Sequence, residues 1–243
     1  MKEKNYYIWP AAVLAAGFII CALILSLTWR SNNKSGQMIT VTGSAKKEIV
    51  SDLGFLRGTI TTRALTAEAA YNELSVQKPI LINYLAEKGF PKEKINFFTI
   101  TSIPIFEIGS NGIQTNKILG YTYSQRIEIS SGEVQKIKDI SLDISSLINK
   151  GVSFMVEMPE YHYTKLADLK IQIQAEAARD AMNRAEKIAA STSRSLGPLR
   201  NARMGILQIT PKFSNMVADY GINDVSSIEK EITAVVSASF EIE

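Results

Sequence analysis

The side chains able to do chemistry are few and scattered. His162 is the single histidine of the 243-residue chain. It lies between Tyr161 and Tyr163, where a strand is expected to give way to a helix. General-base work needs a nucleophile beside the ring and a carboxylate to orient it. The sequence identifies neither, so His162 is expected to be structural. Glu157 and Glu160 form a pair of carboxylates near the same strand end. Acids in such places are usually solvated, and nothing marks one as a proton donor and the other as its ionised partner. Ser75 and Lys78 make an S-x-x-K, a pattern short enough to arise by chance, in mid-helix just before Pro79. The only cysteine, Cys21, falls inside an apolar run, so a zinc site has no ligand set. Glycine-rich phosphate loop, nucleophile elbow and EF-hand spacing are all missing. No catalytic residue, cofactor or metal is expected.

Composition and charge exclude further classes. Hydrophobic residues make up 46% of the chain and are spread along it, which argues against low-complexity disorder. The formal charge is +3, from 27 basic and 24 acidic residues. Lys2, Lys4, Arg30 and Lys34, with the single acid Glu3, flank the apolar run. Beyond residue 35 the count is therefore 23 of each sign. A neutral domain lacks the concentrated basic face that nucleic acid demands, and no nucleic-acid partner is expected.

The apolar run itself, Pro10 to Trp29, carries no charge. As a helix it is about 30 Å long, close to the hydrocarbon thickness of a bilayer. Trp9 and Trp29 close its two ends, where indole rings favour the headgroup interface. A cleaved signal peptide is the competing reading. Its apolar core is shorter, and it ends in small residues rather than in Leu27-Thr28-Trp29-Arg30. Residues 10–29 are therefore expected to remain in the lipid bilayer as a single-pass anchor. The basic residues on its two sides nearly balance. A short tail such as residues 1–9 usually stays in the cytoplasm, which exports the rest. Residues 30–37 read as a flexible linker, and residues 38–243 as one α+β domain.

The elements within that domain can be placed from periodicity. Ile39–Thr42, Gly54–Thr62, Ile95–Ile108, Tyr121–Ile129, Val152–Met158, Ala202–Thr210 and Glu231–Ile242 read as strands. The fourth alternates Tyr121, Tyr123, Ile127 and Ile129 with Thr122, Ser124, Arg126 and Glu128, the pattern of an antiparallel sheet with one wet face. Helices are expected over Thr66–Lys88, with Pro79 kinking or dividing it; from Ser130, in a capping-box spacing with Glu133, to Lys150; and over Lys165–Leu196, closed by Gly197-Pro198. Mostly antiparallel sheet packed with three helices results. A strand, a helix and two strands describe both 54–130 and 152–242, a hint of duplicated topology.

Contact surfaces are the remaining candidates. Ala177, Ala181, Ala185 and Ala189 recur every four residues, a ridge of small side chains that permits close approach, either by the chain's own sheet or by a second subunit. Pro211–Lys230 and Gly109–Lys117 show no periodicity. In the first, Phe213, Met216, Val217 and Tyr220 supply apolar side chains for docking.

Taken together these features resemble the SIMPL-domain family, whose bacterial members include periplasmic immunogenic and oxidative-stress-defence proteins. The resemblance is carried by Ile39-Thr-Val-Thr-Gly43, by Ala67-Glu-Ala-Ala-Tyr-Asn72 leading to Leu85-Ala-Glu-Lys-Gly89, and by Ile95 with Thr99. Gly120-Tyr121 and the Ala175–Ala190 helix running to Gly197-Pro198 complete it. Where the family usually has Pro-Asp, this chain has Ser51-Asp52. The resemblance implies an α+β fold, export across a bacterial inner membrane into the periplasm, assembly into large homo-oligomers and no transferable catalytic residue. Its functional expectation is a non-enzymatic protein acting by self-assembly or partner binding, in envelope or oxidative stress. A ligand- or peptide-binding module using a sheet edge or the 211–230 loop is the alternative, and a hydrolase with a hidden site the third reading.

Overall fold

The computed structural model describes residues 8–34 and 37–242. Helix α1 spans Ile8–Lys34. Its stretch Trp9–Trp29 is long and apolar enough to cross a membrane, and none of it is buried. Of the expected tail, residues 1–7 lie outside the described ones, while Ile8 and Trp9 already belong to the helix. At the other end α1 continues to Lys34, into the stretch expected to be a flexible linker. Ser and Asn are only mildly poor helix formers, so a helix nucleated by the apolar run propagates through them.

Two compact units make up the chain. One comprises residues 1–46, 171–207 and 233–243, the other residues 47–170 and 208–232. The larger unit is built on β2 (Leu53–Ala64), which pairs antiparallel with β4 (Gln114–Ser131) on one side. On the other side it pairs with two short strands, β5 (Phe154–Val156) and β6 (Glu160–His162). Beyond β4 lies β3 (Ile95–Ile108), so the order is β3-β4-β2-β5. Helix α2 (Ala67–Glu87) begins where the Thr66 hydroxyl accepts from the Ala69 N–H at 3.2 Å, satisfying one of the orphan donors of the first turn. Its stripe of Ala70, Leu74, Leu81 and Leu85 is buried. Pro79 does not divide it. Helix α3 (Val134–Asp143) passes into a 3-10 segment, Ile144–Lys150, ended by Gly151 at φ +76°. Ile137, Ile140, Ile144 and Leu147 from these turns meet Leu56, Ile60, Ile127 and Ile129 from the sheet in one apolar core. The expected capping box is not formed: Glu133 is itself the cap residue, and its N–H bonds to the Ser131 hydroxyl at 3.0 Å.

The other unit holds the start of β1 (Met38–Val50), most of α4 (Leu166–Ser191), β7 (Leu196–Met204) and most of β9 (Glu229–Ile242), with strand order β1-β9-β7. The strand β8 (Gln208–Pro211) also pairs with β9. Helix α4 stops at Ser191, short of the expected Leu196, because Leu196-Gly197-Pro198 is drawn into β7 by pairing with the end of β9. The four alanines of the ridge are all buried. A Cβ on Gly43 would lie 2.2 Å from the Ala181 nitrogen and 2.3 Å from the Ala177 carbonyl oxygen, so β1 and α4 touch backbone to backbone. Val41, Ala238 and Phe240 pack on Ala181 and Ala185. The ridge serves the chain's own sheet, and the face considered for a second subunit is filled.

The expected duplication survives in altered form. The orders β3-β4-β2 and β7-β9-β1 echo each other. In the second triplet, however, the third place belongs to β1, while the strands that precede α4 join β2 instead.

Candidate functional site

The wet face of the larger sheet collects the acids and the histidine that the sequence singled out, and pairs them off. Arg57 on β2 reaches Glu128 on β4 at 2.6 Å and Glu160 on β6 at 2.9 Å. Arg126 holds Glu157 with two contacts of 2.9 and 2.5 Å, the bidentate geometry a guanidinium favours. The Arg57 hydrogen bond, with a weaker one from His162, holds the Glu160 carboxyl below its ordinary pKa. A general acid needs the opposite shift. His162 Nε2 lies 3.3 Å from Glu160, and its ring stands edge-on to Phe55 at 5.5 Å. Ser75 turns its hydroxyl back to the Tyr71 carbonyl at 2.9 Å. Among the described residues no group of three or more His, Cys, Asp or Glu converges as a metal site. Opposite charges paired across strands in this way help to align them.

The Pro211–Lys230 stretch, expected to be an irregular loop, is fastened at its base by polar groups. Lys230 is 2% exposed. Its Nζ donates to the carbonyls of Tyr161 and Asp224, each at 2.6 Å. Burial lowers its pKa, which the Asp224 charge partly opposes. The Gln208 amide donates to the Ala218 carbonyl and accepts from the Ile222 N–H, at 2.8 and 2.9 Å. Asp224 accepts from the N–H and hydroxyl of Ser226. Burial alone would raise its carboxyl, but these bonds outweigh it and the pKa falls. Backbone bonds join Ile209 to Ile222 and to Asp224, and Tyr161 to Val225. Beneath the loop is a cavity of about 60 Å³ lined by His162, Tyr163, Asn223, Asp224 and Lys230 among others, room for no more than a few waters.

Above that base the apolar side chains face outward. Phe213 is 83% and Tyr220 89% exposed, and Met216 and Val217 are exposed beside them. Phe213 is held at φ +64°, a conformation uncommon for a bulky residue. Lys212, ion-paired to Glu48 at 2.8 Å, lies over its ring. Three of the residues expected to form a contact surface, Phe213, Met216 and Tyr220, thus lie together on one loop, whereas the four alanines do not reach the surface.

In the Gly109–Lys117 segment, residues 114–117 already belong to β4 and residues 109–113 make the turn before it. The β2–β4 pairing ends at Ala64 opposite Tyr121, while β3 and β4 continue together to Ile108 opposite Gln114. They form a two-stranded ribbon closed by a turn in which Asn111 Oδ1 accepts from the Ile113 N–H. Ile108, Ile113, Ile118 and Leu119 are exposed on it, and its charges Glu107 and Lys117 pair at 2.9 Å. Leu119 is the extra residue of a bulge on β4, between Gly120 opposite Ile105 and Ile118 opposite Phe106.

Lys230 and the ribbon were the features hardest to foresee. Lys230 did leave a signal, because it falls in phase with the buried Ile232, Ala234, Val236, Ala238 and Phe240 of β9. A lysine at an inward position of a period-two pattern predicts a buried ammonium.

Comparison with known proteins adds a family. The model of SIMPL, described as a protein of unknown function (DUF541), matches residues 39–240. An "Uncharacterized protein YggE" from Edwardsiella ictaluri (strain 93-146) is 20% identical over 181 residues, covering 73% of this chain and 72% of that protein.

Proposed function

The chain belongs to the SIMPL family, and from that premise we propose a membrane-tethered, extracytoplasmic protein that works by self-association and partner contact rather than by catalysis. The setting we favour is envelope or oxidative stress. One observation carries the reading: the β3–β4 ribbon leaves the sheet with exposed apolar side chains and with strand edges that no other strand pairs among the described residues. Two-stranded ribbons are marginal alone in water. Unpaired edges are templates for another strand. A second copy or a partner strand supplies both the hydrogen bonds and the apolar cover. The tether, α1, would hold copies at high effective concentration in the plane of a membrane, which favours weak contacts.

Native mass measurement of the full chain in mild detergent tests this proposal. Association that persists on dilution and is lost in an Ile108→Ser, Ile113→Ser double variant is the expected result. A chain that stays monomeric at every concentration contradicts it. So does association indifferent to the ribbon variant.

A further inference from the structure

Asn111-Gly112, in the turn that closes the β3–β4 ribbon, is the one Asn-Gly step in the sequence. The pair suits a hairpin turn. Glycine tolerates the left-handed conformation that Gly112 adopts, φ +75°, and an asparagine side chain bonds readily to backbone two residues on. The same pair sets an electrophile, the Asn111 side-chain carbonyl carbon, beside a nucleophile, the Gly112 backbone nitrogen. No side chain on residue 112 screens that nitrogen. A Cβ built there would meet nothing within 4 Å, and both residues are exposed. Every other asparagine is followed by a residue that carries a side chain. Asn72, Asn83 and Asn183 are further constrained by lying within α2 and α4, where the next N–H is engaged in helix hydrogen bonding.

We infer that Asn111 is a site of spontaneous covalent modification, which turns the uncharged tip of the ribbon into a charged and lengthened one. The Gly112 nitrogen loses its proton and bonds to Asn111 Cγ. The Cγ–Nδ2 bond breaks, and the proton departs with the nitrogen as ammonia. Water then opens the succinimide ring: at Cγ it yields aspartate, and at the main-chain carbonyl it yields isoaspartate, whose backbone runs through Cβ and Cγ. Water is the only co-reactant, and nothing is oxidised or reduced. In the closed turn the Gly112 N–H bonds to the Gly109 carbonyl at 2.9 Å, and Asn111 Oδ1 accepts from the Ile113 N–H at 3.1 Å. Attack therefore proceeds when these exposed bonds open, which costs little at the tip of a loop. Residues 108–116 carry no charge, so either product introduces one. Isoaspartate also adds a carbon to the main chain inside the turn that the Gly109 N–H closes onto the Ile113 carbonyl at 2.9 Å, and so loosens the ends of β3 and β4. Any effect on association rests on the reading of the ribbon given above; the chemistry does not.

The test incubates the full chain in mild detergent and heavy-oxygen water, at neutral and at mildly alkaline pH, and follows each asparagine by peptide mapping. Asn116 and Asn215 are the internal controls, since both are exposed but precede Lys117 and Met216. The expected result is heavy oxygen entering position 111 severalfold faster than either control, with aspartate and isoaspartate both formed. Conversion should quicken at alkaline pH, which favours loss of the Gly112 proton, and should be suppressed by Asn111→Gln and by Gly112→Ala. Hydrogen exchange over residues 106–118 should be faster in the isoaspartyl form than in Asn111→Asp. Conversion at 111 no faster than at the two controls overturns the inference, whatever the ribbon does in association. Conversion that appears only in urea shows that the folded turn protects the bond, and overturns it equally. Aspartate formed without isoaspartate, or an isoaspartyl form that exchanges like Asn111→Asp, overturns the lengthened turn.

Discussion

Replacing Gly43 by alanine probes the seam between β1 and α4. The added carbon would stand 2.2 Å from the Ala181 nitrogen, 2.3 Å from the Ala177 oxygen and 2.7 Å from the Ala181 Cα, against an ordinary contact of 3.4–4 Å. All three atoms belong to the helix backbone, which cannot step aside as a side-chain tip can, so helix and strand must separate by about 1 Å. Overpacking of this kind costs about 1–3 kcal/mol, and a backbone obstacle places it near the upper end. Alanine also restricts the unfolded chain, which offsets about 0.4–1 kcal/mol. The net loss is about 2 kcal/mol, equivalent to a Tm lower by roughly 4–8 °C for a domain of this size. Thermal and urea unfolding of the full chain in detergent, followed by circular dichroism, reads it directly. Gly132→Ala is the control, since its new carbon meets only the Asp52 oxygen at 3.5 Å. A Gly43→Ala protein melting within about 1 °C of the parent refutes the claim that the alanine ridge is closed by the chain's own strand.

Two further substitutions address the base of the 211–230 loop. Lys230→Met keeps the stem but withdraws the donor from the Tyr161 and Asp224 carbonyls. Stability should fall by about 1–3 kcal/mol in urea titrations, with hydrogen exchange quickening first over residues 212–228; unchanged exchange there contradicts the fastening role. The Asp224 carboxyl titrates below its ordinary value of 3.8, so its contribution is complete above that pH and is lost as pH falls through the lower folded value. Asp224→Asn should therefore be less stable than the parent near neutrality, the gap narrowing once pH drops below 3.8. A gap that is the same at pH 7 and pH 3 sinks the assignment.

How far the chain could be read without coordinates depended on whether an element made its own case. β3 appears at the expected Ile95–Ile108 because its ends are set by local turn residues. Helix α2 and β9 follow their apolar periods closely. Where pairing decides, local pattern failed. Gln114–Lys117 is polar and reads as loop, yet it is strand because β3 lies beside it. Gly197-Pro198 reads as a helix stop, and it is also the beginning of β7. The partners of Glu157 and Glu160 come from β4 and β2, about 30 and 100 residues earlier in the chain, at separations over which local pattern carries no information. Of the named surface residues, the loop trio was legible from composition alone. The alanine ridge was legible as a packing surface, but only the sheet could say which neighbour takes it.

The most direct test of the central proposal is the mass of the protein that remains with membranes after alkaline extraction. A permanent tether predicts the intact chain, α1 included, in the membrane pellet. A shorter chain that begins beyond α1 and is recovered in the soluble fraction would contradict it.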